Sequence, residues 1–331
     1  MSEPKRPTGW GGPPLVPPGP ADAEAAARRI RGVAVRTPLL QLSGSPPEAP
    51  IFLKPEVLQP SGAYKLRGVC NWAASLTPEE RARGFCTHSS GNTALALGHV
   101  ARLFGASARS VMPDWVPPHK LEAIRACGVE PAPMPLDDLL AFIFEGHWRR
   151  QPYCYLNPWA DPHMLAGNGT LALEILADLP DIDTLFVPVG GGGLVLGVGG
   201  VLKKLKPSVR VVGVQAEACP ALHASFAAGK PVWVEARPTV CDGTTLPLVV
   251  EELYPALRAT VDDVALVSEE GAKEAVRALA LGNKLVVEGA GAMVVAAALA
   301  TPAAERGRAA CILSGGSIGA DKLAEILRGH P

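Results

Sequence analysis

VPVGGGGLVLG (187–197) sets four consecutive glycines, Gly190, Gly191, Gly192 and Gly193, between an apolar run and a stretch of helical character. The first part predicts a strand and the last part a helix. Without side chains in the way, backbone N–H groups in such a turn can converge on a phosphate, and the helix N-terminus adds partial positive charge. Two common phosphate sites are excluded. No GxGxxG spacing can be set on Gly190 to Gly200, and Gly229-Lys230 is followed by Pro231, so no Walker A sequence exists. The run therefore suits a phosphate that is neither a dinucleotide's nor a nucleoside triphosphate's. The plainer alternative is a tight turn that lets strand and helix pack closely.

On both sides of this run, β-rich segments alternate with amphipathic or Ala-rich ones. Strands are predicted at 51–56, 84–89, 108–113, 184–189, 209–216 and 310–315. A first helix is predicted from Ala21, and others at 65–76, 92–104, 118–127, 163–177, 194–206, 269–282 and 288–300. This alternation predicts an α/β fold with largely parallel sheets. Three glycine-marked turns separate an apolar run from a helix: Ser89-Ser90-Gly91-Asn92, Gly190 to Gly193, and Ser314-Gly315-Gly316-Ser317. Ligands of open α/β sheets bind at the carboxyl ends of strands, so the three turns predict one site built from several loops.

Composition narrows the function. With 331 residues, 48% apolar and 19% charged, the chain can bury a substantial core in one large or two moderate domains. A net charge of −1 without a basic stripe argues against nucleic acid as a partner. No apolar run is long enough to span a bilayer, and no apolar signal core opens the chain. A cytoplasmic protein is expected. The seven cysteines, at 70, 86, 127, 154, 219, 241 and 311, form no CxxC pair and no zinc-like cluster with histidine, so reduced, mostly buried thiols are expected. Residues 1–20 are more than half Gly and Pro and are expected to form a disordered or loosely draped arm.

QPSGAYKLRG (59–68) places Lys65 after a Pro-Ser-Gly turn, at the start of a predicted helix. Most lysines are solvated surface charges. A lysine that forms an imine must sit in a partly desolvated site, where the free amine can attack a carbonyl. Spacing alone does not separate the two. The order of segments does more: SGAYKLRG, then THSSGNTALA (87–96), VPVGGGGLVLG, and LSGGSIG (313–319). In this order they resemble the serine/threonine dehydratase and serine racemase group of fold-type II pyridoxal-phosphate enzymes, the tryptophan synthase β-like superfamily. The resemblance runs from Arg36-Thr37-Pro38 to the C-terminal helix, with further matches at VMPDWVPPHKLEAIRACG (111–128), LAGNGTLALEIL (165–176) and LVVEGAGA (285–292).

The resemblance implies two α/β domains with pyridoxal 5'-phosphate between them. A large cofactor-binding domain would comprise 21–66 and 159–331, and a small mobile substrate domain 67–158. It implies that Lys65 carries the cofactor and then acts as general base at the substrate Cα. Gly190, Gly191, Gly192 and Gly193 match the phosphate cup. Ser89, Ser90, Gly91, Asn92 and Thr93 match the loop that binds the substrate carboxylate, and Asn92 matches the residue bonded to the cofactor's phenolic oxygen. Ser314 matches the residue facing the pyridine nitrogen; a serine there leaves that nitrogen mostly neutral, which suits elimination. Tyr64 stands where a Phe usually packs beside the cofactor, or is simply core. Glu288 matches a family Glu near the ring, or is a helix-start carboxylate.

The implied reaction is α,β-elimination from an L-threonine- or L-serine-like amino acid, a small-molecule substrate, giving a 2-keto acid and ammonia. Racemisation is the alternative, because Ser90 stands where the group's racemases place an acid/base serine and many dehydratases have Ala. A β-replacement enzyme or a catalytically weak cofactor-binding protein are further alternatives. Thr93 replaces a common His, and Asn168 a common Gln. Where racemase-like members bind a divalent cation with Glu and Asp, this chain has Gln215 and Ala221, with Glu217 at another offset. Hard cations want carboxylate oxygens, so no such metal site is expected. The match is weak between Gly128 and Tyr153, and nothing places Arg149 or Arg150 in the site. Family members are usually dimers or tetramers, so a homo-oligomer is expected.

Overall fold

The structure, a computed structural model, describes residues 7–329. Ten strands among them form two sheets. In chain order they are β1 (Leu40–Gln41), β2 (Ile51–Pro55), β3 (Phe85–His88), β4 (Ala108–Pro113), β5 (Glu130–Met134), β6 (Cys154–Leu156), β7 (Thr184–Pro188), β8 (Arg210–Ala216), β9 (Asp263–Val267) and β10 (Ala309–Leu313). The larger sheet has the order β1-β2-β10-β7-β8-β9 and is parallel except for the β1–β2 pair. The smaller sheet, β5-β4-β3-β6, is wholly parallel.

The strands that carry the site are buried along their whole length: TLFVP in β7, AACIL in β10 and FCTH in β3. Parallel strands covered on both faces read as continuous apolar runs, because alternate side chains enter different cores. Leu185 and Val187 of β7 join one core, while Phe186 joins the other. A third core, with Leu66, Val69, Phe85, Leu97 and Met164, lies beneath the smaller sheet.

The helix Lys65–Ser75 packs against Asn92–Phe104 and against Pro162–Asp178. The second crossing is close enough to require glycine. A Cβ on Gly167 would lie 2.5 Å from the Arg67 carbonyl oxygen, and one on Gly68 would lie 2.7 Å from the Met164 carbonyl oxygen. The predicted helix 269–282 is α-helical over Glu269–Ala278 and closes in a π-turn, Leu279–Asn283, with Lys284 left-handed at φ 60°.

Residues 1–6 of the Pro/Gly-rich stretch lie outside the described residues. From 7 to 19 the chain carries no helix or strand, yet it is fastened, unlike a free arm. The Leu15 N–H donates to the Glu252 carbonyl (2.8 Å), and the Glu251 N–H to the Thr8 carbonyl (2.7 Å). Trp10 stacks on Phe144, with ring centroids 6.5 Å apart. Proline's fixed φ reduces the entropy lost on ordering, so a few contacts suffice to pin the stretch.

Candidate active site

Each predicted site residue follows the carboxyl end of a strand or opens a helix. Downstream of β2, the chain turns through Gly62 to Lys65, the first residue of its helix. That turn lies along the loop after β10. The Tyr64 N–H donates to the Ser314 carbonyl (3.0 Å), and the Gly316 N–H to the Gly62 carbonyl (3.0 Å). Lys65 is half-buried, with Nζ 5.0 Å from the centre of the Tyr64 ring. Ser314 is buried.

The loop after β3 is held from below. Ser110 Oγ donates to the Ser89 carbonyl (2.6 Å), and the Gly91 N–H donates to Ser89 Oγ (3.2 Å). Gly91 leads into the helix Asn92–Phe104 without a side-chain cap. Ser90 makes no hydrogen bond to another group among the described residues. Thr93 is buried. Asn92 ties this loop to the other two. Its Nδ2 donates to Glu288 Oε1 (2.8 Å), and its Oδ1 accepts from Ser317 Oγ (2.7 Å). Glu288 also accepts the Ser317 N–H through Oε2 (3.1 Å). Burial first, and Asp242 second, push the Glu288 carboxyl up to about 7 against the opposing hydrogen bonds.

The glycine loop is hemmed in on two sides. A Cβ on Gly191 would meet Trp159 at 2.4 Å, one on Gly193 the Pro158 carbonyl oxygen at 2.8 Å, and one on Gly190 Thr244 Cα at 3.1 Å. Gly192, at φ 89°, adopts the left-handed conformation that turns the chain into the helix Gly193–Leu205. None of the four amides donates to a protein group among the described residues. Unpaired amides at a helix N-terminus make an anion cradle.

Several contributors were not singled out in the sequence. His88, next to Ser89, is buried; its Nδ1 lies 2.6 Å from Tyr155 Oη, and its ring is edge-on to Trp159 at 4.4 Å. Burial, with a smaller push from Lys65, lowers its pKa to about 3, so the imidazole is neutral. Trp159 thus links the β3 loop to the glycine loop. Asn168, noted in the sequence only as replacing a common Gln, donates through Nδ2 to the Gly193 carbonyl (3.1 Å). Lys120 pairs with Asp242 at 2.5 Å. The THSS string holds the signal for His88; the others depend on partners remote in sequence. Gln215 is committed to the main chain, accepting the Leu222 and His223 N–H groups (2.8 and 3.1 Å) at the start of Ala221–Ala228. Among the described residues, no group of three or more His, Cys, Asp or Glu could hold a metal ion.

A half-buried primary amine at strand ends, together with an anion cradle of glycine amides, defines a class: α/β enzymes that hold a phosphorylated carbonyl compound on lysine. The chain belongs to the family of pyridoxal-phosphate dependent enzymes, whose model matches residues 30–315. It is 36% identical over 320 residues to the L-threonine ammonia-lyase of Thermotoga maritima, covering 92% of this chain and 77% of that one. To the catabolic L-threonine dehydratase of Escherichia coli it is 34% identical over 281 residues, 83% of this chain and 85% of that one. Among solved structures, the T.th. threonine deaminase aligns with a TM-score of 0.82 and 34% identity over 91% of this chain and 99% of that one. Maize serine racemase aligns with a TM-score of 0.84 and 29% identity over 92% and 95%. The resemblance read from the motifs, the α/β class and the cofactor therefore stand. The residues present fit that cofactor: free amides suit its phosphate, and a half-buried amine suits its aldehyde.

Proposed function

We propose that this chain eliminates water from a small β-hydroxy amino acid, L-threonine or L-serine, releasing a 2-keto acid and ammonia. The observation that carries this is the amine of Lys65 beside the Ser314 loop, with unpaired amides in the glycine loop. The threonine ammonia-lyase relatives support the choice of substrate. Pyridoxal phosphate, when bound, supplies an electron sink that acidifies the substrate's Cα–H.

In this reading Gly190, Gly191, Gly192 and Gly193 would hold its phosphate, and Ser314, Asn92 and Tyr64 would hold its ring, Ser314 at the ring nitrogen and Asn92 at the phenolic oxygen. Lys65 anchors it and then takes the Cα proton at Nζ. Ser89, Ser90, Gly91, Asn92 and Thr93 bind the substrate carboxylate through N–H groups and hydroxyls at a helix start, where an anion is favoured. Glu288 orients Asn92 through the 2.8 Å hydrogen bond. Within 67–158, the smaller sheet and its helices beyond Ser75 move over the substrate and exclude water. Gln215, with both ends of its amide engaged, leaves the reaction independent of a divalent cation. The protein works as a cytoplasmic homo-oligomer.

Incubation with L-threonine and L-serine tests the reading: 2-keto acid should form, undiminished by a chelator. No 2-keto acid from either substrate would refute it. A second reading, racemisation, is favoured by one observation. The Ser90 hydroxyl, unpaired with any described protein group, is available to exchange a proton at Cα opposite Lys65. Chiral analysis of the remaining substrate separates the two.

A further inference from the structure

We propose that Arg67 is a positioning residue that sets the amine of Lys65, an inference that rests on the reading of Lys65 as the cofactor-holding lysine. The helix that Lys65 opens has Tyr64 at its N-cap position and no side-chain cap. The Leu66 and Arg67 N–H groups close turns onto the Ala63 and Tyr64 carbonyls (3.3 and 3.0 Å), but a start with no side-chain cap frays unless further contacts fix it. Here the fixing contacts come from behind. Residues two apart on an α-helix project roughly 200° apart around its axis. Lys65 and Arg67 therefore leave opposite sides of the same turn, and the Arg67 side chain is 1% exposed.

All three guanidinium nitrogens are engaged. Nε donates to Glu56 Oε2 (2.7 Å), and Nη1 to Glu174 Oε1 (2.6 Å) and Thr170 Oγ1 (3.1 Å). Nη2 donates to Glu56 Oε1 (2.9 Å), Glu174 Oε2 (3.0 Å) and the Val35 carbonyl (3.1 Å). Lys54, fully buried in β2, completes the cluster through Glu174 (2.6 Å) and the Thr37 carbonyl (2.7 Å). One side chain in the first turn is thus gripped by the Val35 carbonyl, by Glu56 just after β2, and by the helix Pro162–Asp178.

Stability is a weak reason for such a cluster. Desolvating each ion costs several kcal/mol, and apolar residues of similar volume often do as well. A planar fork between two carboxylates gives what an apolar plug does not, a fixed rotational setting. Rotating a helix by ~10° moves an atom ~8 Å from its axis by more than ~1 Å. Misplacements of about that size at a reacting group cost on the order of 100-fold in rate.

Arg67→Lys keeps the charge and removes the fork. The holoenzyme should lose kcat by ~30-fold or more with KM within about threefold, the signature of a lost transition-state arrangement. The pH titration of its imine absorption band should shift, while the thermal midpoint falls only slightly. Glu174→Gln, at the cluster's more exposed edge (16%), should show the same pattern with a smaller loss. If Arg67→Lys does not fold, Glu174→Gln decides by the same criteria. A kcat within about twofold of the parent overturns the proposal. So does a loss that tracks the thermal midpoint and recovers on cooling, because that marks a purely structural role. Lys65→Ala tests the underlying reading separately. A retained imine band means another lysine holds the cofactor; a lost band with unchanged Arg67→Lys kinetics overturns the Arg67 proposal alone.

Discussion

Glu288 holds its proton unusually tightly because its carboxyl is buried beside Asp242. Its pKa rises from an ordinary 4.5 to about 7, so the folded chain binds this proton where the unfolded chain has released it. The resulting stability is full below the unfolded value and is lost as pH rises through about 7, a change on the order of 3 kcal/mol. Glu288→Gln should flatten that fall, measured as thermal midpoint against pH from 4 to 8; an unchanged slope would assign the proton elsewhere. At Ser90 the expectation is chemical. Ser90→Ala should spare elimination more than racemisation, and equal loss of both would contradict a role for its hydroxyl at Cα. Lys65, Ser90 and Gly190 to Gly193 were singled out in the sequence because each sits in a short string with its own turn chemistry. Arg67 and Glu56 were not, since their meaning lies in Glu174, 107 residues from Arg67.

Helix–helix contact governs the next scale. At the crossing of Lys65–Ser75 and Pro162–Asp178, a methyl on Gly167 would run into the main chain at Arg67, which cannot swing aside. Gly167→Ala should therefore cost about 1–3 kcal/mol, read from denaturant unfolding. It should also lower kcat, because the helix pushed aside begins at Lys65. A stable, fully active variant would show that the crossing has slack. The six predicted strands all appear, since each reads as an apolar or β-branched run. Of the four others, β9, DVALV, carries the same signal, while the remaining three are short or Pro-rich. β5 reads EPAPM, and its two prolines are tolerated because it is an edge strand. β1 and β6 have only two and three residues, and β9 lies at the other sheet's edge, half exposed.

On the scale of the whole molecule, polar contacts at the site run from helices of the smaller sheet to loops of the larger one, beside a core that the two sheets share. Lys120, on the helix Pro118–Ala126 beside the smaller sheet, reaches Asp242, and Asn92 reaches Glu288 and Ser317. An exposed pair such as Lys120–Asp242 contributes about 0–1 kcal/mol, so Asp242→Asn should raise KM no more than ~5-fold. It should also lower the Glu288 pKa by removing a neighbouring negative charge. A KM unchanged at every pH would mean that this contact plays no part in substrate binding. The stretch 7–19, laced to Glu251 and Glu252 and stacked on Phe144, has a consequence of another kind. A protease cuts where slack chain can be drawn into its cleft. By composition this stretch is slack; by contact it is not. Chymotrypsin should leave the bonds after Trp10 and Leu15 intact in the native protein and open them only once mild denaturant frees the lacing. Early cutting there would show that the segment peels away on its own.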